Sequence, residues 1–191
     1  MKIIKKLILL ASGEGSNVEN IIKHFELNSN IEVVLVAGNN KKAYVFERVK
    51  KYDIDTFVFD KNFFDKKFIN IIEQYNPNLI VLAGFLWKIS EFIIKKYPNQ
   101  IINIHPSLLP KYGGKGMYGL NVHEAVIKNK EKKTGISIHL VNQNYDEGNI
   151  IFQSQINISH DDTINSIASK VQLLEKEHFP RVIEEYLLKL Q

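Results

Sequence analysis

The sequence predicts an α/β fold, with a mainly parallel central sheet, helices on both faces and an antiparallel strand pair near the C-terminus. Through residue 105, short β-rich apolar runs alternate with segments whose apolar residues recur at helical spacing. Those runs are apolar at successive positions rather than at every second one, as in strands covered on both faces. Two later strand-like runs are separated by a short polar loop that leaves no room for a crossover, so they pair antiparallel.

Each element follows in order. Residues 3–11 read as a buried strand, and Val18, Ile21, Ile22 and Phe25 then repeat as one face of a helix. Residues 31–37 form a second strand, followed by a helix carrying Val45, Phe46 and Val49. Residues 56–59 form a short third strand, and Phe64, Phe68, Ile71, Ile72 and Tyr75 line one helix after it. Residues 79–83 and 100–105 are the fourth and fifth strands, with a helix near 90–97 between them. Residues 106–120, rich in Gly and Pro, form a long loop of the kind that carries function. A helix over 122–129, strands over 135–141 and 150–158, and a terminal helix over 163–190 complete the chain, with Asp161 or Asp162 expected to cap the last helix.

The chain has 191 residues, 45% of them hydrophobic, which suits one domain with a large core over 1–191. There is no cysteine, so disulfides and thiolate metal sites are excluded, and a reducing cytoplasm is the expected compartment. No apolar run is long enough to span a bilayer. The basic and apolar start is followed by Gly13-Glu14-Gly15 rather than a small-residue cleavage site, against a signal peptide. The formal charge of +4 comes with lysine pairs scattered along the chain, without the basic block and interleaved aromatics of a nucleic-acid binder. A modest positive balance favours anionic small molecules instead.

Chemistry concentrates at the end of the fifth strand. Asn103 and His105 are two residues apart and share a strand face, and Pro106 ends the ladder just after them. The amide is suited to stabilise an oxyanion and the imidazole to move a proton, with Asp146 downstream placed to hold the imidazole charged. Of the other histidines, His24, His160 and His178 fall in surface segments, and His139 packs or hydrogen-bonds nearby. No His/Asp/Glu group has metal-ligand spacing, so no metal is expected. Between the first strand and first helix, Ser12-Gly13-Glu14-Gly15-Ser16-Asn17 offers glycines and free helix N–H groups to an anion. Val18 stands where a dinucleotide loop needs its third glycine, so a phosphate monoester is the better fit. Residues 83–89 supply an apolar and aromatic wall for a flat ligand.

Together these motifs resemble the phosphoribosylglycinamide formyltransferases, folate-dependent enzymes of purine synthesis within the formyltransferase family. The resemblance rests on Ser12 to Asn17, Leu82-Ala83-Gly84-Phe85, Asn103 to Tyr112, Thr134 to His139, and Tyr145-Asp146-Glu147-Gly148, five motifs in order over nearly the whole chain. It implies a Rossmann-like formyltransferase fold and a catalytic triad of Asn103, His105 and Asp146. It implies that Gly15, Ser16, Asn17, Gln172 and Glu175 bind 5'-phosphoribosylglycinamide. The co-substrate 10-formyltetrahydrofolate would lie against Leu86, Trp87, Lys88, Ile89, Asn142, Gln143, Asn144 and Tyr145, bordered by Asn103 and Asp146. Trp87 stands where relatives often carry arginine.

By the same resemblance, the amine attacks the formyl carbon directly through a tetrahedral intermediate, with Asp146 raising the pKa of His105. The alternatives are a formyltetrahydrofolate hydrolase or another formyltransferase with the same triad, and a non-catalytic phosphate-binding module. Methionyl-tRNA formyltransferase and formyltetrahydrofolate deformylase normally carry an added domain, for which 191 residues leave no room. The expected partners are small-molecule substrates, with neither nucleic acid nor membrane, and the assembly is a monomer or homodimer.

Overall fold

The structure, a computed structural model, describes residues 4–28 and 30–190. Ile3, first residue of the expected opening strand, lies outside the described residues. The strands are β1 (Lys5–Ala11), β2 (Ile31–Gly38), β3 (Asp55–Val58), β4 (Leu79–Leu82), β5 (Ile101–His105), β6 (Lys133–Leu140) and β7 (Ile150–Asn157). They form one sheet in the order β3-β2-β1-β4-β5-β6-β7. Pairing is parallel from β3 across to β5, then antiparallel for β5 with β6 and β6 with β7.

Burial follows the two-residue period of a strand. Leu7, Leu9 and Ala11 of β1 pack beneath α1 (Ser16–Phe25), α2 (Val45–Val49) and α7 (Ile164–Lys189). Ile8 and Leu10 face α3 (Lys61–Lys66), α4 (Phe68–Tyr75) and α5 (Glu91–Lys96) on the other side. The central strands are therefore apolar on both faces, whereas edge strand β3 leaves three of its four residues exposed. α6 (Leu120–Lys128) follows the long loop after β5.

Three details depart from the sequence reading. The helix expected to run through Phe64 and Tyr75 is broken at Lys67. The break lets Phe64 and Phe68 both pack on Phe59, at 5.0 and 4.6 Å between ring centroids. The cap of α7 is Thr163, not Asp161 or Asp162: its hydroxyl accepts from Ser166 N, and Ser166 Oγ accepts from Thr163 N. Asp162 instead binds Ser159 N and Lys170, and its carboxyl is held at about 2, chiefly by Lys170. His178, placed on the surface by sequence, is half-buried, with its ring 5.0 Å from that of Phe152.

Pro180 lies inside α7, where its missing N–H frees the carbonyl of Lys176. Asn20 of α1 donates to that carbonyl at 2.8 Å. The helix thus keeps a proline in its interior because a neighbouring side chain fills the vacated hydrogen bond, which also fastens α7 to α1.

Candidate active site

Strands β2 and β3 lie to one side of β1, and β4 and β5 to the other. The connections after β1 and β4 diverge at this reversal, where open α/β sheets leave a crevice. Ser12 ties the two loops together: its N–H donates to Gly84 O at 3.0 Å and its hydroxyl accepts from Leu86 N at 3.0 Å. A cavity of about 810 Å³ opens here. Its wall brings together Asn17, Leu86, Trp87, Lys88, Ile89, Asn103, His105, Asn142, Asn144, Tyr145, Asp146, Gln172 and Glu175. Gly15, Ser16 and Gln143 are not on this wall. Gly15 is buried, and Gln143 is exposed on the loop between β6 and β7.

Asp146 is the hub of one end. Its Oδ2 accepts from Gly114 N at 2.8 Å and lies 3.5 Å from His105 Nδ1. Its Oδ1 lies 3.4 Å from Asn103 Nδ2 and 3.6 Å from His139 Nε2. Asp146 has φ of 57°, a left-handed conformation that Asp tolerates better than most residues. Two residues on, the position of Gly148 leaves no room for a side chain, since a Cβ would lie 1.7 Å from Leu140 O. The loop is therefore pressed against the end of β6, which carries the carboxylate under Asn103 and His105.

The proton positions follow from partners. His139 Nδ1 is 2.8 Å from Leu140 O and therefore carries hydrogen, leaving Nε2 to accept from Asn103 Nδ2 at 3.1 Å. His105 Nε2 is 2.7 Å from Tyr112 O, so that nitrogen also carries hydrogen. In its neutral form His105 then has its free lone pair on Nδ1, toward Asp146. Both N–H bonds of the Asn103 amide are directed at Asp146 and His139, so one must be released before it can donate to a ligand.

Burial corrects the expected charge of His105. Desolvation pushes its pKa below the usual 6.5, and outweighs the opposing attraction of Asp146 and the bond to Tyr112 O. At neutral pH these directions favour a neutral imidazole beside an ionised carboxylate. Burial alone would raise the Asp146 carboxyl, but the His139 and His105 imidazoles beside it and the Gly114 N–H prevail and hold it below 3.8.

The other end is built on the start of α1. Asn17 Nδ2 donates to Glu175 Oε2 at 2.9 Å, and Gln172 Nε2 reaches Ser16 Oγ at 3.4 Å. Burial raises the Glu175 carboxyl, only partly opposed by Asn17. Gly15 has φ of 72°, and a Cβ there would lie 2.5 Å from the Cβ of Val45. Its glycine is thus required by the packing of α2 against the loop.

Trp87 belongs to an aromatic group with Phe59, Phe64 and Phe85, and Lys61 Nζ lies 5.3 Å from its ring centroid. Sequence reasoning missed His123 as a wall residue. It is 5% exposed, its Nδ1 has no partner, and burial lowers its pKa. The signal was its place beside Val122 on the buried face of α6. It also gave His139 too small a part. The register pairs His139 with Asn103 across β5 and β6, which brings it to Asp146.

Residues 5–183 match the formyl transferase family, and the chain belongs to it. Within that class, the chain is 34% identical to phosphoribosylglycinamide formyltransferase of Bacillus subtilis (strain 168), over 96% of this chain and 95% of that protein. It is 35% identical to the chloroplastic phosphoribosylglycinamide formyltransferase of Arabidopsis thaliana over 91% of its length, and spans 62% of that longer protein. The crystal structure of phosphoribosylglycinamide formyltransferase from Anaplasma phagocytophilum superposes with a TM-score of 0.88 at 32% identity, over 97% of this chain and 88% of that one. Among the described residues no helix is long and apolar enough to cross a membrane, and no group of three His, Cys, Asp or Glu is arranged to hold a metal.

Proposed function

We propose that this chain transfers the formyl group of 10-formyltetrahydrofolate to the amine of 5'-phosphoribosylglycinamide in de novo purine biosynthesis. The observation that carries the reading is the convergence of Asn103, His105 and Asp146 on one wall of a cavity whose far end is the start of α1. An anion belongs at that far end, where free helix N–H groups and the helix dipole favour it. Asn17, Gln172 and Glu175 would bind the rest of the amine substrate, with Gly15 and Ser16 contributing through the shape of the turn. The apolar stretch from Leu86 to Ile89, together with Asn142, Asn144 and Tyr145 of the same wall, suits the flat ring of the folate. Gln143 would act only through the loop it belongs to.

In this reading the amine attacks the formyl carbon, a C–N bond forms and the carbonyl electrons move to oxygen. Asn103 turns one N–H to that oxyanion, a contribution of about 3 kcal/mol for such a donor. Neutral His105 accepts the amine proton and returns it to the folate nitrogen as the old C–N bond breaks. Asp146 stabilises the imidazolium between those two steps. The domain comprises residues 1–191, acts in the cytoplasm as monomer or homodimer, and takes only small molecules as partners.

The test is loss of formyl-folate by the purified protein with and without phosphoribosylglycinamide. Turnover only with the amine is expected. Equal turnover without it makes the chain a hydrolase, and none in either case leaves a phosphate-binding module.

A further inference from the structure

A second cavity of about 550 Å³ shares no residue with the first. Its apolar part is made by Leu108, Pro110, Val126 and the ring of Tyr112. Four lysines border it, at 111, 130, 132 and 133, against the single acid Glu131. That acid is already engaged, by Lys111 Nζ at 2.8 Å and Tyr112 OH at 2.9 Å. Among the described residues Lys130, Lys132 and Lys133 have no ion pair. Lys130 follows the C-terminus of α6, where a cation complements the helix dipole. Lys132 and Lys133 lie beyond that turn and have no such explanation. Thr134 completes the wall: it is 2% exposed and its buried hydroxyl has no hydrogen-bond partner.

We infer that this cavity binds a phosphate monoester with a flat apolar body, and that its occupancy is communicated to His105 through Tyr112. The lysines meet the phosphate, and the apolar group rests on Leu108, Pro110 and Val126. The size is that of a small-molecule site. Tyr112 belongs to both regions. Its ring and hydroxyl form the second cavity, while its carbonyl holds His105 Nε2 at 2.7 Å. Lys111 is similarly divided, with its ammonium on Glu131 and its carbonyl accepting from Ser107 Oγ at 2.6 Å. A phosphate that draws Lys111 from Glu131 shifts the segment that fixes the imidazole. None of this depends on the reaction proposed above.

The experiment is a site-resolved NMR titration of the full chain with phenyl phosphate, following the amides of residues 130–134 and the His105 ring. Saturable shifts are expected at both, with the same concentration dependence, and weaker effects from phenol or inorganic phosphate alone. Lys132→Glu with Lys133→Glu should weaken binding at least about tenfold, since it reverses two charges. Absence of saturable shifts at 130–134, or unchanged affinity in the charge-reversed variant, overturns the site. A His105 signal that stays still while 130–134 saturates overturns the communication. So does a His105 shift that survives charge reversal, because it would come from phenyl phosphate in the larger cavity.

Discussion

The two ends of the large cavity each hold a carboxylate with an asparagine beside it, and they behave in opposite ways. Glu175 is met by one amide, from Asn17, and its carboxyl is raised. Asp146 is less deeply buried and meets Asn103, Gly114 N–H and two imidazoles, and its carboxyl is lowered. Burial pushes both upward. The number and charge of the groups that face the ionised form decide which way the balance falls. One end is thereby kept ready to lose its charge, the other to keep it.

The most severe way to break this contrast is Asp146→Asn, which preserves shape and removes the hub charge. Turnover should fall by about a hundredfold or more, in the range of acid–base groups. The His105 titration should move lower still, since burial would then act without its main opponent. Single-turnover kinetics and NMR of the imidazole measure the two effects. Unchanged values for both would leave Asp146 as a turn residue only.

A second experiment asks whether the Glu175 end is held by the main chain. Gly15→Ala forces a Cβ against Val45 in a left-handed conformation, and should cost about 2 kcal/mol in denaturant unfolding. Any loss of substrate affinity should follow the loss of fold, because that Cβ points at α2. A variant of normal stability with affinity selectively lost would show that the ligand, not Val45, fills the space.

Stability against pH separates the ends by sign. His105 and His123 have folded pKa values below 6.5, so the unfolded chain binds more protons and stability falls as pH drops below that value. Two such groups limit the slope to about 2.7 kcal/mol per pH unit. Glu175 opposes them, because its raised folded pKa gives stability that is complete below 4.5 and declines as pH rises through the raised value. Asp146 enters only below 3.8, where its stabilisation is lost as pH falls. Thermal or urea unfolding between pH 7.5 and 5 should therefore show a steeper acid loss in Glu175→Gln and a flatter one in His123→Asn. Parallel curves for all three proteins would contradict the assigned directions.

The smallest expected effect comes from Asn17→Ala. Removing the amide that meets Glu175 should raise its titration further, visible as a carboxyl band in infrared difference spectra. No movement would mean that water replaces the amide, and that this end is wetter than its burial implies.

Asn103 and His105 were legible as a pair because the two-residue period of a strand is a local property. The parallel sheet and the antiparallel turn-back were legible for the same reason. The Lys67 break, the capping role of Thr163 and the departure of Gly15 from the cavity wall were not. Each depends on what a distant element presses against it, such as Phe59 beneath α3 and α4 or Val45 against Gly15.

The charge of His105 marks the same boundary. Sequence supplied the imidazole and the carboxylate, whose attraction raises the pKa. Only the folded chain supplied the burial that lowers it further than the attraction lifts it, because desolvation is a property of the surroundings. Residue types and their spacing thus determined which groups meet and which family the motifs resemble. The tertiary structure decided their protonation, their partner His139, the burial of His123, and the second cavity beside the lysines, since all of these depend on water being excluded by chain that is far away in sequence.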